Sequence, residues 1–92
     1  MTPIGLIVVD LQNEYLPGVV VVGAMSHMCI DAFVRAAADM GYTVTILHDA
    51  CATLDLAFDG INVPASHVHA AMMAAFEFGY GTVRSVDDYL AS

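Results

Sequence analysis

The chain has 92 residues, 59% of them hydrophobic and 13% charged, with ten acidic residues against two arginines and no lysine, for a formal charge of −8. That charge repels phosphate backbones and anionic membrane surfaces, so nucleic acid and membrane are excluded as expected partners. No apolar run approaches the ~20 residues that cross a bilayer, and no basic region precedes the first apolar segment, so a soluble cytoplasmic protein is expected.

The length suits one small domain, which buries only about 60–65% of its surface on folding. The two cysteines, Cys29 and Cys51, form no CxxC pair and follow no secretory signal, which argues for reduced thiols rather than zinc or dithiol chemistry. The histidines, His27, His48, His67 and His69, are scattered. His67 and His69 lie two apart on an expected helix and point about 200° apart, so they cannot chelate one ion together. Neither a metal nor another cofactor is expected.

In chain order, residues 4–9 read as an apolar strand that ends at Asp10, and LQNEYLPG, with its Pro17-Gly18, reads as a turn or loop. An aspartate at the C-terminal end of such a strand sits where open α/β sheets place ligands and catalytic groups, although a cap or turn former fits the local sequence as well. Val19 to Val22 form a β-branched run without alternation, which suits a strand buried on both faces. After Gly23 the period changes. Ile30, Phe33, Val34, Ala37 and Met40 recur at three and four, the core stripe of a helix over 28–40 that ends at Gly41. Asp31 and Arg35 make a solvent-facing pair on that helix.

Cys29 therefore falls in the first turn of a helix at the end of a strand. Backbone N–H groups and the helix dipole there favour a thiolate, and the same amides could hold an oxyanion. The competing reading is a small buried hydrophobe. Further on, 43–48 read as a β-branched strand ending at Asp49, and 50–63 as a polar surface loop containing Cys51, Thr53, Asp55 and Asp59-Gly60. A helix over 65–78, opened by Pro64 or Ser66, keeps Val68, Ala71, Met72, Ala75 and Phe76 at helical spacing. TVR, 82–84, is a short last strand, and SVDDYL a final helical turn capped by Ser85.

AADMGYTVTILHD and AFEFGYGTVRSVD share the order helix, Gly-Tyr, Thr-Val, polar end, so the second half is two successive helix-to-strand units. Strands alternating with helices argue for an α/β domain with a parallel sheet.

The run GAMSHMCIDAFVRAAADMGYTVTILHDACATLDLAFDG, continued by NVPASHVHAAMMAAFEFGYGTVRSVDD, resembles the isochorismatase-like cysteine hydrolases, a group that includes nicotinamidases, carbamoylsarcosine amidohydrolases and streptothricin hydrolases. VVDLQNEYLPG resembles the first strand of that family and its aspartate-bearing end. The resemblance implies a reduced Rossmann-like three-layer domain of about four mainly parallel strands, two main helices and a short C-terminal helix. It implies Cys29 as nucleophile toward a small amide, carbamoyl or related ester-like substrate, and Asp10 as the base. It also implies a non-proline cis peptide at Ala24-Met25 and an oxyanion held by the amides of Met25 and Cys29. His27 is either a pocket residue or an exposed turn residue, and Cys51 reads as structural.

The family's third catalytic group, a lysine, has no counterpart, since the chain holds no lysine. Relative to the family pattern, several strands and helices are missing between Gly18 and Val19. Residues 1–92 then read as one truncated domain with an internal deletion at that junction. Removal of the middle puts strands 4–9, 19–23, 43–48 and 82–84 side by side with both large helices on one face. An apolar sheet face would then lie open, and a homo-oligomer covering it is expected. Parallel pairing of 4–10 with 19–23 is favoured over an antiparallel hairpin, although eight connecting residues are too few for a helical crossover. Two functions follow: an active thiol hydrolase, or an inactive remnant that self-associates.

Overall fold

The computed structural model describes residues 5–10 and 18–91, with the side chains of 18–91. The loop reading of LQNEYLPG falls, apart from Gly18, on residues outside that set.

Four strands form the main sheet in the order β1 (Gly5–Asp10), β2 (Gly18–Ala24), β3 (Thr43–Ala52), β6 (Thr82–Arg84). β2 pairs with β3, and β3 with β6, in parallel. The helices α1 (Asp31–Asp39) and α2 (Ala65–Gly79) fill the intervals between these strands, and α3 (Val86–Ala91) follows β6. This is the mixed α/β architecture with three helices that the strand and helix periodicities call for.

The first pairing corrects an expectation. β1 runs antiparallel to β2, with Gly5 opposite Gly23 and Asp10 opposite Gly18. The connection is too short to hold the helix that a parallel return needs, so the chain folds back directly.

Val19 and Val21 of β2, Val44 and Ile46 of β3, Ile30, Val34 and Ala37 around α1, and Met73 and Phe76 of α2 form one buried cluster. Both large helices therefore cover the same face of the sheet. The stripes shift from their expected composition at two points. Met40, just past α1, is 72% exposed, and on α2 Met73 rather than Ala71 or Met72 joins Val68 and Phe76 as buried. The open apolar face expected along the valine run is not found at its first three positions, since Val19, Val20 and Val21 are all buried.

Gly41 ends α1 with φ 91°, a conformation that only glycine adopts without cost. The Gly41 N–H donates to the Ala38 carbonyl and the Tyr42 N–H to that of Ala37, the paired bonds of a Schellman cap. The expected cap of α3 is present, with the Asp88 N–H donating to Ser85 Oγ at 3.1 Å. α2 is capped from a distance instead, because Pro64 offers no side-chain acceptor, and Asp55 Oδ1 accepts from the Ala65 N–H at 2.7 Å.

The segment expected to be surface loop is more ordered than its polarity suggests. β3 runs on to Ala52, and a separate hairpin pairs β4 (Leu56–Phe58) with β5 (Ile61–Val63). Asp59 and Gly60 at its tip have φ of 51° and 77°, the left-handed pair of a type I′ turn. Phe58 and Ile61, directly opposite each other, are 81% and 64% exposed.

Candidate functional site

The C-terminal ends of β2 and β3 meet at Gly23 opposite Cys51 and Ala24 opposite Ala52. The Ala24–Met25 peptide that follows is cis, the geometry the family resemblance implies. The chain then makes one π-type turn, Ser26–Ile30, before α1 begins at Asp31. The Met25 carbonyl organises that turn by accepting from both the Met28 N–H (3.0 Å) and the Ile30 N–H (3.2 Å). Cys29 thus lies inside a wide turn leading into α1 rather than in the first turn of the α-helix itself. π-type turns within helices recur at functional sites.

Within this turn Ser26 and Ile30 point inward and are buried, whereas Met28 and Cys29 are exposed. The two cysteines are consequently in opposite environments. The Cys29 thiol is presented at the surface beyond the end of β2. Cys51 is half-buried under the sheet end and donates weakly to the Val21 carbonyl, with Sγ···O 3.9 Å. Burial pushes the Cys51 thiol pKa up, and the nearby Asp49 charge adds to this, against a lowering contribution from hydrogen bonding to the Gly23 backbone.

Three polar contacts hold the turn. His27 Nδ1 lies 2.6 Å from Thr53 Oγ1, which ties the turn to the residue just past β3. Ser26 Oγ lies 2.8 Å from His69 Nδ1 and 3.3 Å from the Ala52 carbonyl. His69 Nε2 lies 2.8 Å from the His48 carbonyl. Sequence reasoning weighed His69 only as a metal ligand and did not single out Ser26. The available signal was the spacing of His69 with Met73 and Phe76, at i, i+4 and i+7, which places the imidazole on the core stripe of α2.

Asp10 is not brought to this cluster. Its main chain pairs with Gly18, at the start of β2, while Cys29 follows the strand's far end at Ala24. Six residue steps at about 3.3 Å each separate the two ends by roughly 20 Å. The antiparallel return of β1 is the physical reason.

Arg35 serves the surface, as its spacing indicates. It donates to Asp31 Oδ1 at 2.8 Å and to Tyr80 Oη at 2.8 Å, with the guanidinium 4.8 Å from the Tyr80 ring centre. The Asp31 hydrogen bond and charge raise its pKa further above the usual guanidinium range. Among the described residues no three of His, Cys, Asp and Glu converge as a metal site would require. An apolar groove lined by Val19, Phe33, Ala36, Ala37, Met40 and Tyr42 lies at the opposite end of α1 from Cys29.

A family model for the isochorismatase domain matches residues 11–88. The chain belongs to the isochorismatase family. It is 49% identical over 80 residues to an uncharacterized isochorismatase family protein, YddQ, of Bacillus subtilis (strain 168), covering 87% of this chain and 44% of that one. Its backbone is similar to a solved structure from Oleispira antarctica that carries the name isochorismatase hydrolase, with TM-score 0.78 and 60% identity, covering 79% of this chain and 39% of the other. An isochorismatase from Pseudomonas putida KT2440 matches with TM-score 0.73 and 38% identity over 75% of this chain and 36% of its own. The chain thus spans less than half the length of the relatives it matches. Among the described residues no helix is long and apolar enough to cross a membrane.

Proposed function

We propose that this chain carries the nucleophile corner of an isochorismatase-family cysteine hydrolase, with Cys29 as the attacking group. The observation that carries the reading is the contrast between the two thiols: Cys29 is exposed on a turn at the C-terminal end of a parallel strand pair, and Cys51 is tucked beneath it. That end is where open α/β sheets hold their ligands. In this reading Sγ of Cys29 bonds to the carbonyl carbon of a small amide, carbamoyl or related ester-like group. The nitrogen or oxygen leaving group departs with a proton, and water cleaves the resulting thioester. The amides of Met25 and Cys29 hold the oxyanion.

The base is the weak point of a single copy. Asp10 lies at the other end of β2 by backbone register, and the sequence contains no lysine. Together with the share of the relatives covered, this supports an internal deletion at the 18/19 junction. Nucleophilic attack by Cys29 is therefore the step this chain retains, and rapid turnover requires acid–base groups from outside it. The test is alkylation by iodoacetamide at pH 7, followed by peptide mass spectrometry. Cys29 is expected to react faster than Cys51 and faster than N-acetylcysteine under the same conditions. A Cys29 rate no higher than that of N-acetylcysteine overturns the reading.

A second reading, self-association without catalysis, is favoured by one feature. Phe58 and Ile61 form an apolar pair at the tip of a hairpin, open to solvent on an otherwise acidic chain. A second copy of the chain is the occupant proposed for that tip.

A further inference from the structure

Ser26 is 0% exposed and immediately follows Met25, whose carbonyl organises the turn, three residues before Cys29. Its hydroxyl meets an imidazole that reaches in from α2, and the other nitrogen of that ring meets the His48 carbonyl on β3. A carbonyl only accepts, so His69 Nε2 must carry a proton. In the neutral ring Nδ1 is then the acceptor and the Ser26 hydroxyl donates to it. In the charged ring Nδ1–H donates to Ser26 Oγ, and the hydroxyl proton turns to the Ala52 carbonyl, 3.3 Å away. Each polar group has a partner in either state, and among the described residues no buried side-chain nitrogen or oxygen is left without one.

This network joins three elements at one point: α2 through His69, β3 through the His48 and Ala52 carbonyls, and the Cys29 turn through Ser26. We infer that His69 is a positioning residue, which acts through Ser26 to hold the turn in the conformation that presents the Cys29 thiol. The inference rests on the reading of Cys29 as the reactive thiol. Mere filling of space by the imidazole would need neither the fixed tautomer nor the two aligned contacts. Loss of the Ser26 contact leaves a buried hydroxyl with one distant carbonyl, and the turn that depends on it is free to rearrange.

The test compares four versions of the full chain, with folding checked by circular dichroism. Asparagine at 69 places an amide oxygen near the Nδ1 position and keeps an acceptor for Ser26, whereas glutamine reaches toward His48 and gives up Ser26. His69→Asn is expected to keep the Cys29 alkylation rate within about twofold of the parent, and His69→Gln and Ser26→Ala to slow it by roughly tenfold, the scale of one lost buried hydrogen bond. Nitrogen-15 NMR of the parent is expected to show the Nε2–H form of the neutral His69 ring. Folded His69→Gln and Ser26→Ala chains that alkylate at the parent rate overturn the inference, as does equal slowing by asparagine and glutamine or an Nδ1–H tautomer in the parent. A parent Cys29 no faster than N-acetylcysteine sinks the functional reading instead, and His69 is then judged by the tautomer and the relative rates.

Discussion

A methyl group placed on Gly81 would lie 2.5 Å from the carbonyl oxygen of Val44 and 3.1 Å from its Cβ. Gly81 is where the chain leaves α2 and enters β6, and Val44 is a buried residue of the neighbouring β3. Only the absence of a side chain lets the two backbones approach this closely. Gly81→Ala must therefore push β6 away from β3 or shift the backbone around Val44. A cost of about 1–3 kcal/mol is expected, the usual range for forcing extra volume into a packed site. Each kcal/mol lowers Tm by about 4–8 °C in a domain of this size, so thermal unfolding followed by circular dichroism reads it directly. Gly79→Ala is the control, because nothing lies within 4 Å of that position. It should leave Tm unchanged or raise it slightly, since alanine is the better helix former.

Asp55 and Ala65 make a second long-range dependence testable. The Asp55 carboxylate accepts the Ala65 N–H at 2.7 Å and supplies the cap that Pro64 cannot. Asp55→Ala is expected to lower stability by about 1 kcal/mol, the typical value of a lost helix cap. Asp55→Asn retains an acceptor oxygen and is expected to recover most of the loss. Equal Tm values for parent and Asp55→Ala would show that this bond carries no stability.

Much of this fold can be read from local chemistry. Gly41 marks the end of α1 because the left-handed residue after a helix is a backbone requirement, and Ser85 marks α3 because a hydroxyl three residues before an N–H is a local motif. What sequence could not decide depends on contacts distant along the chain. The direction of β1 was open because strand 5–10 and strand 18–24 have the same composition in either orientation, and only the length of the connection argued against a parallel return. Asp10 was consequently assigned beside Cys29 by resemblance, when its register in this chain places it at the opposite end of β2. The Asp59-Gly60 pair is a strong hairpin signal, but the strands it joins are three residues each, too short for alternation to show. His69 was legible as a core-stripe position, yet its partner Ser26 lies 43 residues away and could not be named.

The burial of Cys51 sets the sign of a pH effect. Its folded pKa is raised above that of a free cysteine thiol, chiefly because burial disfavours the thiolate. A raised folded pKa means that the unfolded chain loses this proton first as pH rises. The contribution of Cys51 to stability is therefore fully present below about pH 8.5, the range of an unfolded cysteine, and is lost as pH climbs through the folded value. Tm of the parent is expected to fall between pH 8 and pH 10, and to fall less in Cys51→Ala, because that variant has no buried thiol to ionise. Parallel Tm curves for the two proteins over this range would remove the assignment.

The hairpin tip gives the last prediction. Phe58 and Ile61 face each other across a two-residue turn and are mostly exposed, so they form a small apolar patch that a two-stranded hairpin cannot bury by itself. If a second copy covers this patch, association must depend on protein concentration and on these two side chains rather than on Cys29. Sedimentation velocity over a hundredfold concentration range is expected to show a monomer–dimer shift for the parent. Phe58→Ser with Ile61→Ser should abolish that shift and leave Tm at low concentration nearly unchanged, because both positions are exposed in the single copy. The Cys29 alkylation rate should be the same in parent and double variant. A parent that sediments as a 9.7 kDa monomer at every concentration would remove self-association as a role for the hairpin. The nucleophile reading would be unaffected, since it depends on the turn after β2 that Ser26 and His69 hold and not on the hairpin side chains.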